Sequence, residues 1–377
     1  MIFAWFLVLV CLVPYAWFLF RAGLAWRKIP EPIPQKQAAP IFFSILIPVR
    51  NESESIVLLL EDLEAQRFPK NQFEVIVIDD HSEDNTAEVV AAFAKQTSLN
   101  LSHLFLASFP EMSRKKAALQ IGISQAKGSW VLCTDGDCRL SPDWLMAYQN
   151  LIQTQQPKFV SGPVLLQPAN TVFEKLQALE FAALISTGAA TIQLQQPTMC
   201  NGANLGYEKS AFFAVNGFAG NEHIASGDDE FLMHKLHRAF PGKVAFLKDT
   251  AAVVRTAPMP TLGTLVRQRV RWASKWKHYP AGASKLLALV VAAANVILWV
   301  LFFSALFGND HWGIFWAALV LKLAADAFLL FPVLCFFQQR RLILLLGLLQ
   351  VVYVPYLLFT ALLGLKGKYQ WKGRTIT

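Results

Sequence analysis

The stretch 130-WVLCTDGDC-138 decides the reading of this chain. Trp130–Thr134 is a short apolar run that closes on Asp135, and Gly136 separates Asp135 from Asp137. Two carboxylates flanking a glycine directly after a buried strand offer hard oxygen ligands. They suit Mg²⁺ or Mn²⁺ with positions left open for phosphates. Gly136 permits a tight turn between them. Taken alone, D-x-D is also what an ordinary turn or helix cap produces. An EF-hand is excluded, because its third acidic ligand, loop glycine and closing glutamate are missing.

Outward from this point, strand-like and helix-like segments alternate. Phe43–Ile47 reads as a buried strand, Ser53–Ala65 as a helix, and Glu74–Ile78 as a strand closing on Asp79-Asp80. Thr86–Ala94 is helical, Leu101–Leu106 strand-like and Lys115–Ala126 helical. Such alternation predicts a parallel sheet with covering helices. Ligands bind these sheets at the carboxyl ends of the strands, and Asp79, Asp80, Asp135 and Asp137 all lie just past such ends. Neither turn carries a Gly-rich dinucleotide or P-loop pattern.

Three further clusters stand out. In 79-DDHSEDNT-86, Ser82 and Asp84 are placed to cap the following helix, and Asp79 and Asp80 to meet a base or ribose. In 227-GDDEF-231, Asp228, Asp229 and Glu230 open a predicted helix, where capping is a competing explanation. In 267-RQRVRW-272, an amphipathic segment carries three arginines, a glutamine and a tryptophan; cations snorkelling from an interfacial helix would look the same.

Composition frames this middle region. Of 377 residues, 54% are hydrophobic and 16% charged, too apolar for disorder or for one ordinary soluble globule. The net charge is +8, yet residues 40–280 carry −1, while the first 39 residues carry +3 and the last 97 carry +6. Basic residues beside apolar runs mark cytoplasmic membrane flanks and argue against a nucleic-acid groove. The five cysteines have no metal-ligand spacing, imply no disulfide framework and read as buried thiols.

Ile2–Phe20 is long enough to span a bilayer. Arg21, Arg27 and Lys28 follow it, which puts the N-terminus outside and the next segment in the cytosol. It lacks the basic start and cleavage site of a signal peptide. The Pro-rich linker runs to residue 39, a catalytic domain is expected over 40–282, and a membrane region over 283–366 precedes a basic tail at 367–377. That region holds Leu286–Phe307, Trp312–Phe337 and Leu342–Leu365. Three crossings would leave the basic tail outside, against the charge bias; a bent or re-entrant segment around Pro355 would keep it cytosolic. Lys322 and Asp326 share one helix face. They are functional candidates or a pair formed against a neighbouring helix.

In this order, 47-IPVRNE-52, 79-DDHSEDNT-86, 115-KKAALQIGISQAKGSW-130 with 134-TDGDC-138, 200-CNGANLGYEKSAFFAVNGF-218, 227-GDDEF-231 and the Q-x-x-R-W of Gln268, Arg271 and Trp272 resemble the membrane-bound family 2 glycosyltransferases of the cellulose-synthase-like and ceramide-glucosyltransferase-like kind. The motifs cover about 40–272, and 371-WKGR-374 resembles tails in membrane members. The resemblance implies an α/β, GT-A-type, Rossmann-like nucleotide-sugar domain flanked by an N-terminal and by C-terminal transmembrane helices. It places Pro48 and Glu52 in the first nucleotide-binding loop, Asp80 at the nucleoside, and Lys115 or Lys116 at the nucleotide or diphosphate. Asp135 and Asp137 match the metal pair, Asp137 being the direct ligand of Mg²⁺ or Mn²⁺. Asp229 matches the catalytic base. Asp228 stands where a glutamate is usual, which leaves the choice of base between the two aspartates open. Gln268, Arg271 and Trp272 match the diphosphate and acceptor side.

These roles make a coherent inverting transfer from a nucleotide-diphosphate sugar, expected to be UDP-linked. Tethering to the bilayer suits a lipid or lipid-linked acceptor at the cytosolic face. Segment 171–190 is either an interfacial or a packed core helix, and 187–206 and 219–226 are expected on the acceptor side. The rival expectations are a processive polysaccharide synthase and a non-catalytic membrane scaffold that retains the nucleotide-binding fold.

Overall fold

The computed structural model describes residues 2–34, 41–108, 115–220, 227–274, 282–308, 311–365, 369–371 and 374–376. After α1 (Ile2–Lys28), the catalytic region runs β1 (Phe43–Val49), α2 (Ile56–Glu64), β2 (Phe73–Asp79), α3 (Thr86–Ala94), β3 (Leu101–Phe105), α4 (Lys115–Gln125), β4 (Trp130–Cys133) and α5 (Trp144–Gln155). It continues β5 (Phe159–Ser161), β6 (Val164–Leu166), α6 (Val172–Gln193), β7 (Leu205–Glu208), α7 (Lys209–Ala214), α8 (Asp228–Ala239), β8 (Val244–Phe246), β9 (Val254–Thr256) and α9 (Leu262–Ser274). α10 (Ala283–Leu306), α11 (Trp312–Phe336), a 3₁₀ turn (Arg340–Leu345), α12 (Leu346–Leu365) and a short hairpin of β10 (Tyr369–Trp371) and β11 (Arg374–Ile376) complete the described chain.

Seven strands form one sheet in the order β3-β2-β1-β4-β7-β5-β8. The first four are parallel, and β7 enters antiparallel to both β4 and β5. β1 and β2 are buried along nearly their whole length, as their continuous Ile/Val/Leu runs require of strands covered on both faces. The α/β sheet expected from the sequence is present and its first four strands are parallel as expected, while β7 makes the whole sheet mixed. β6 and β9 pair separately, beyond the carboxyl end of β5.

α1, Ser284–Leu306, Trp312–Phe336 and Arg340–Thr360 are each long and apolar enough to cross a membrane. α1 packs along α11. Between them, Lys322 donates to Asp326 at 2.9 Å and to Gln350 Oε1 at 2.7 Å. Tyr15 and Gln350 donate to the two Asp326 oxygens at 2.5 and 2.9 Å. The charged pair thus meets each other and two neighbouring helices, as expected of charges withdrawn from lipid. Trp26, 1% exposed, lies between Phe246 of β8 and Phe336 of α11 and ties the catalytic and membrane regions together.

Of the two alternatives for segment 171–190, the packed helix is found: a Thr171/Glu174 capping box starts α6, which then packs against β6, β8, α1, α11 and α12. One expectation is corrected: the cysteines are all free, but only Cys133 and Cys138 are buried, and Cys335 is exposed on α11. The last apolar run is not broken at Pro355, which lies inside α12. The 3₁₀ turn before α12 packs on α6, and β10 after it packs on α9. The remainder of the basic tail, and 221–226, lie outside the described residues.

Candidate active site

The site is built where β1, β2 and β4 end. The parallel register sets Val49 beside Asp79 and Leu46 beside Cys133, so the loops that follow open on one edge. Arg50, with its side chain 4% exposed, clamps two of them. Its guanidinium donates to the carbonyls of Asp80 (2.9 Å) and His81 and to Glu83 at 2.7 Å. Asp84 accepts from the backbone of Ser53 and Thr86. Burial raises its pKa, but the Thr86 and Ser53 bonds outweigh that and hold the carboxyl down at about 2. Asp84 therefore fastens the first loop to Thr86 at the start of α3, whose N-cap is Asn85. Ser82 does not cap: its hydroxyl accepts from Asn51 N. Asp79 turns into its own loop, accepting from Ser82 N at 2.7 Å. Asp80, 2% exposed as a residue, lines the cavity.

Gly136 is needed for proximity. A Cβ there would lie 2.9 Å from Val49 Cγ1 and 3.2 Å from Glu52 Cγ, so glycine lets the D-x-D loop lie against the first loop. Asp135 is half-buried and receives Lys115 Nζ at 2.5 Å. Burial pulls the Lys115 ammonium pKa down, but Asp135, Asp228 and Asp229 together push it above the ordinary lysine value. Asp137 is exposed and accepts from Thr256 Oγ1 at 3.2 Å, so β9 orients it. Among the described residues no three His, Cys, Asp or Glu side chains cluster as a closed metal cage. The Asp135/Asp137 oxygens fit an open site, in which Mg²⁺ or Mn²⁺ takes one or two carboxylates and completes its shell with substrate phosphates.

α8 begins at Gly227, whose φ of 81° favours glycine. Asp228, Asp229 and Glu230 form its first turn, where the helix dipole favours carboxylates. Asp228 and Glu230 are buried, while Asp229 is more open to the cavity. Asp229 Oδ1 accepts from Glu230 N at 2.8 Å.

α9 closes the other side. Thr264, Gln268 and Arg271 recur one turn apart on its cavity face, with Trp272 beside them. Phe181, Leu184, Ile185, Gly188 and Ala189 of α6 supply an apolar wall. One cavity of about 640 Å³ touches Pro48, Glu52, Asp80, Lys115, Asp135, Asp137, Asp228, Asp229, Gln268, Arg271 and Trp272. Lys116 is not on its wall; it is 7% exposed, with Nζ 5.4 Å from the Phe231 ring centre. Residues 199–203 of the expected acceptor segment also line it.

Three residues that matter to this geometry were given no role from the sequence. Arg269 is buried within RQRVRW and pairs with Glu180 of α6 at 2.8 Å. Asn204, fully buried, bonds four partners behind the 201–203 loop. Thr256 was legible only through the strand pairing that brings β9 to Asp137.

The model of glycosyl transferase family group 2 matches residues 130–365, and that of glycosyl transferase family 2 matches residues 44–213. The chain is a family 2 glycosyltransferase. It is similar to a glycosyltransferase, AglE, of Haloferax volcanii, 36% identical over 123 residues, which are 33% of this chain and 39% of that protein. It is also similar to a poly-β-1,6-N-acetyl-D-glucosamine synthase of Staphylococcus epidermidis, 30% identical over 234 residues, 61% of this chain and 53% of the synthase. The chain thus spans between two fifths and about half of these relatives' lengths. A mannosyltransferase of Pyrobaculum calidifontis, solved with GDP-Man and Mn²⁺, shares the fold: TM-score 0.58, 19% identity, over 93% of this chain and 98% of that one.

Proposed function

We propose that this glycosyltransferase moves a sugar, with inversion, from a UDP-linked donor to a lipid or lipid-linked acceptor at the cytosolic membrane face. The observation that carries the reading is the two-sided cavity. Its acidic end, where Lys115 pairs with Asp135, lies at the strand termini, and its apolar wall is a helix that also packs on the membrane helices.

Asp80 is suited to the nucleoside, with Pro48 and Glu52 beside it. Asp135 and Asp137 would hold Mg²⁺ or Mn²⁺, which neutralises the leaving diphosphate. Lys115 and Arg271 add cationic contacts to the same charge. Asp229, the more open of the two aspartates, is the group assigned to take the proton from the acceptor hydroxyl. Asp228, buried and electrostatically coupled to Lys115, is assigned to hold that lysine in place. General-base help of this kind is worth about 10²–10⁴ in rate. Gln268 and Trp272 present an amide and an aromatic face to the acceptor side.

Both neighbours of α12 in sequence rest on catalytic-region helices. That supports an α12 embedded from the catalytic side, with the Arg340-Arg341 turn and β10 on that same side and the N-terminus outside.

The test is lipid mass spectrometry of membranes holding the active chain or Asp229→Asn. A lipid species gained by one sugar mass with the active chain and absent with the variant is expected, with UDP binding retained in both. Equal amounts of that species would sink the base assignment. A second reading, a polysaccharide synthase, is supported by the relatives' names; long polymer in place of single-sugar lipid products would select it.

A further inference from the structure

The motif residues Gln268, Arg271 and Trp272 share α9 with an arginine that faces away from the cavity. The Arg269 side chain is 8% exposed, and its guanidinium meets four groups at once. Nη2 donates to Glu180 of α6 at 2.8 Å, and Nε to the Tyr356 hydroxyl of α12 at 2.6 Å. Nη1 donates to the Gln268 side-chain carbonyl at 3.1 Å. The guanidinium carbon lies 4.2 Å from the Trp272 ring centre. Burial pulls the Arg269 pKa down, but Glu180 more than compensates, so the cation is held.

We propose that Arg269 is a positioning residue that sets the Gln268 amide and the Trp272 ring for catalysis and ties both to the membrane helix α12. It touches neither the cavity nor any reacting atom, yet bonds one motif side chain and stacks on the other. Its anchors come from two separate elements. α6 also holds the lead-in to α9 one turn earlier, where Gln177 exchanges two hydrogen bonds with the Met259 backbone at 2.9 and 3.0 Å. Trp272 is backed by Phe181, ring centres 6.2 Å apart. α12 contributes Tyr356, six residues beyond the Gln350 that bonds Lys322 and Asp326. The acceptor side is therefore registered against α6 from within the catalytic region and against α12 from the membrane side. A lysine at 269 keeps the charge for Glu180. It lacks the planar fork that serves Tyr356 and Gln268 together and lies over an indole.

This inference rests on the reading that Gln268 and Trp272 serve the acceptor side. Its test uses the full chain in membranes of the expressing cells and follows UDP released from UDP-N-acetylglucosamine. That release is the same signal whether lipid, polymer or water receives the sugar, so failure of the lipid reading leaves the comparison intact. Arg269→Lys is expected to lower kcat about 10–100-fold, the size of effect a small misplacement produces. UDP affinity, measured by calorimetry with UDP and Mn²⁺, and melting temperature should stay near wild type. Tyr356→Phe should lower kcat less, and should add under about twofold in the Arg269→Lys background, because the two act through one contact. A kcat within about twofold of wild type for folded Arg269→Lys would overturn the proposal. So would a loss of UDP affinity and melting temperature in step with kcat, which marks a merely structural arginine.

Discussion

Replacing Asn204 is expected to cost more than any substitution on the cavity wall. Its Oδ1 accepts from Trp144 Nε1 at 3.1 Å and Tyr148 Oη at 2.9 Å, and its Nδ2 donates to the Pro163 and Ala252 carbonyls at 2.8 Å each. All four capacities of the amide are used. Trp144 and Tyr148 are themselves fully buried. Asn204→Ala strands two donors and two carbonyls. A buried group left unsatisfied costs about 1–3 kcal/mol, and a water admitted to the vacated space recovers part of it. A net loss of about 4–6 kcal/mol is a large share of a stability that is typically about 5–15 kcal/mol. At about 2–4 °C per kcal/mol for a domain of this size, the apparent melting temperature should fall by roughly 10–20 °C. Asn204→Asp keeps the acceptor for Trp144 and Tyr148 but sets a carboxylate oxygen against two carbonyls, so it should be at least as damaging. The measurement is thermal unfolding of the detergent-solubilised full chain by intrinsic fluorescence. A fall under about 3 °C in both variants would mean that the four bonds are not the source of stability here.

Three other outcomes are expected. Burial, helped by Arg238 and His237, pushes the His234 pKa from 6.5 down to about 4. The unfolded chain therefore takes up a proton that the folded chain refuses between those values. This contribution is complete above pH 6.5 and shrinks as the pH falls toward 4; His234→Gln should flatten the fall in melting temperature between pH 7 and 5. Lys115→Met should weaken UDP binding about 10–100-fold, the worth of a charge-assisted bond. Lys116→Met, removed from the cavity, should leave that affinity nearly unchanged in the same titration. Lys322→Met should destabilise by about 3–5 kcal/mol by leaving Asp326 without its cation. Lys322→Met combined with Asp326→Leu should recover much of that loss, and unfolding curves of the three chains decide it.

Much of this architecture was legible because its signals are local. The runs at Phe43, Phe73 and Trp130 are buried strands by composition, and aspartates directly after parallel strands have few other places to go. The 115–116 pair was not resolvable, since adjacent helical residues point in directions about a third of a turn apart and only packing against Phe231 shows which one is turned away. Arg269 could not be told from its neighbours for a similar reason. In RQRVRW, the cavity-facing and buried arginines differ by the partners that Glu180 and Tyr356 provide from 89 and 87 residues away. Asn204 lies inside the quoted 200–218 stretch, but its role was not legible there, because its four partners sit at 144, 148, 163 and 252. The last apolar run is long and apolar enough to cross, and its hydropathy held nothing of the contacts made before and after α12.

The wall supplied by α6 also separates two kinds of evolutionary freedom. The groups proposed for the donor come from loops after β1, β2 and β4, while the apolar wall proposed for the acceptor is one helical stripe at 181, 184, 185, 188 and 189. On that proposal, retailoring the stripe leaves the nucleotide half untouched, so acceptor preference can drift, or be bred in the laboratory, through a library confined to five codons. Gly188 sets the boundary of such a library: a Cβ there would come within 2.8 Å of the Met199 carbonyl, so substitution at that codon moves the opposing loop as well as the wall.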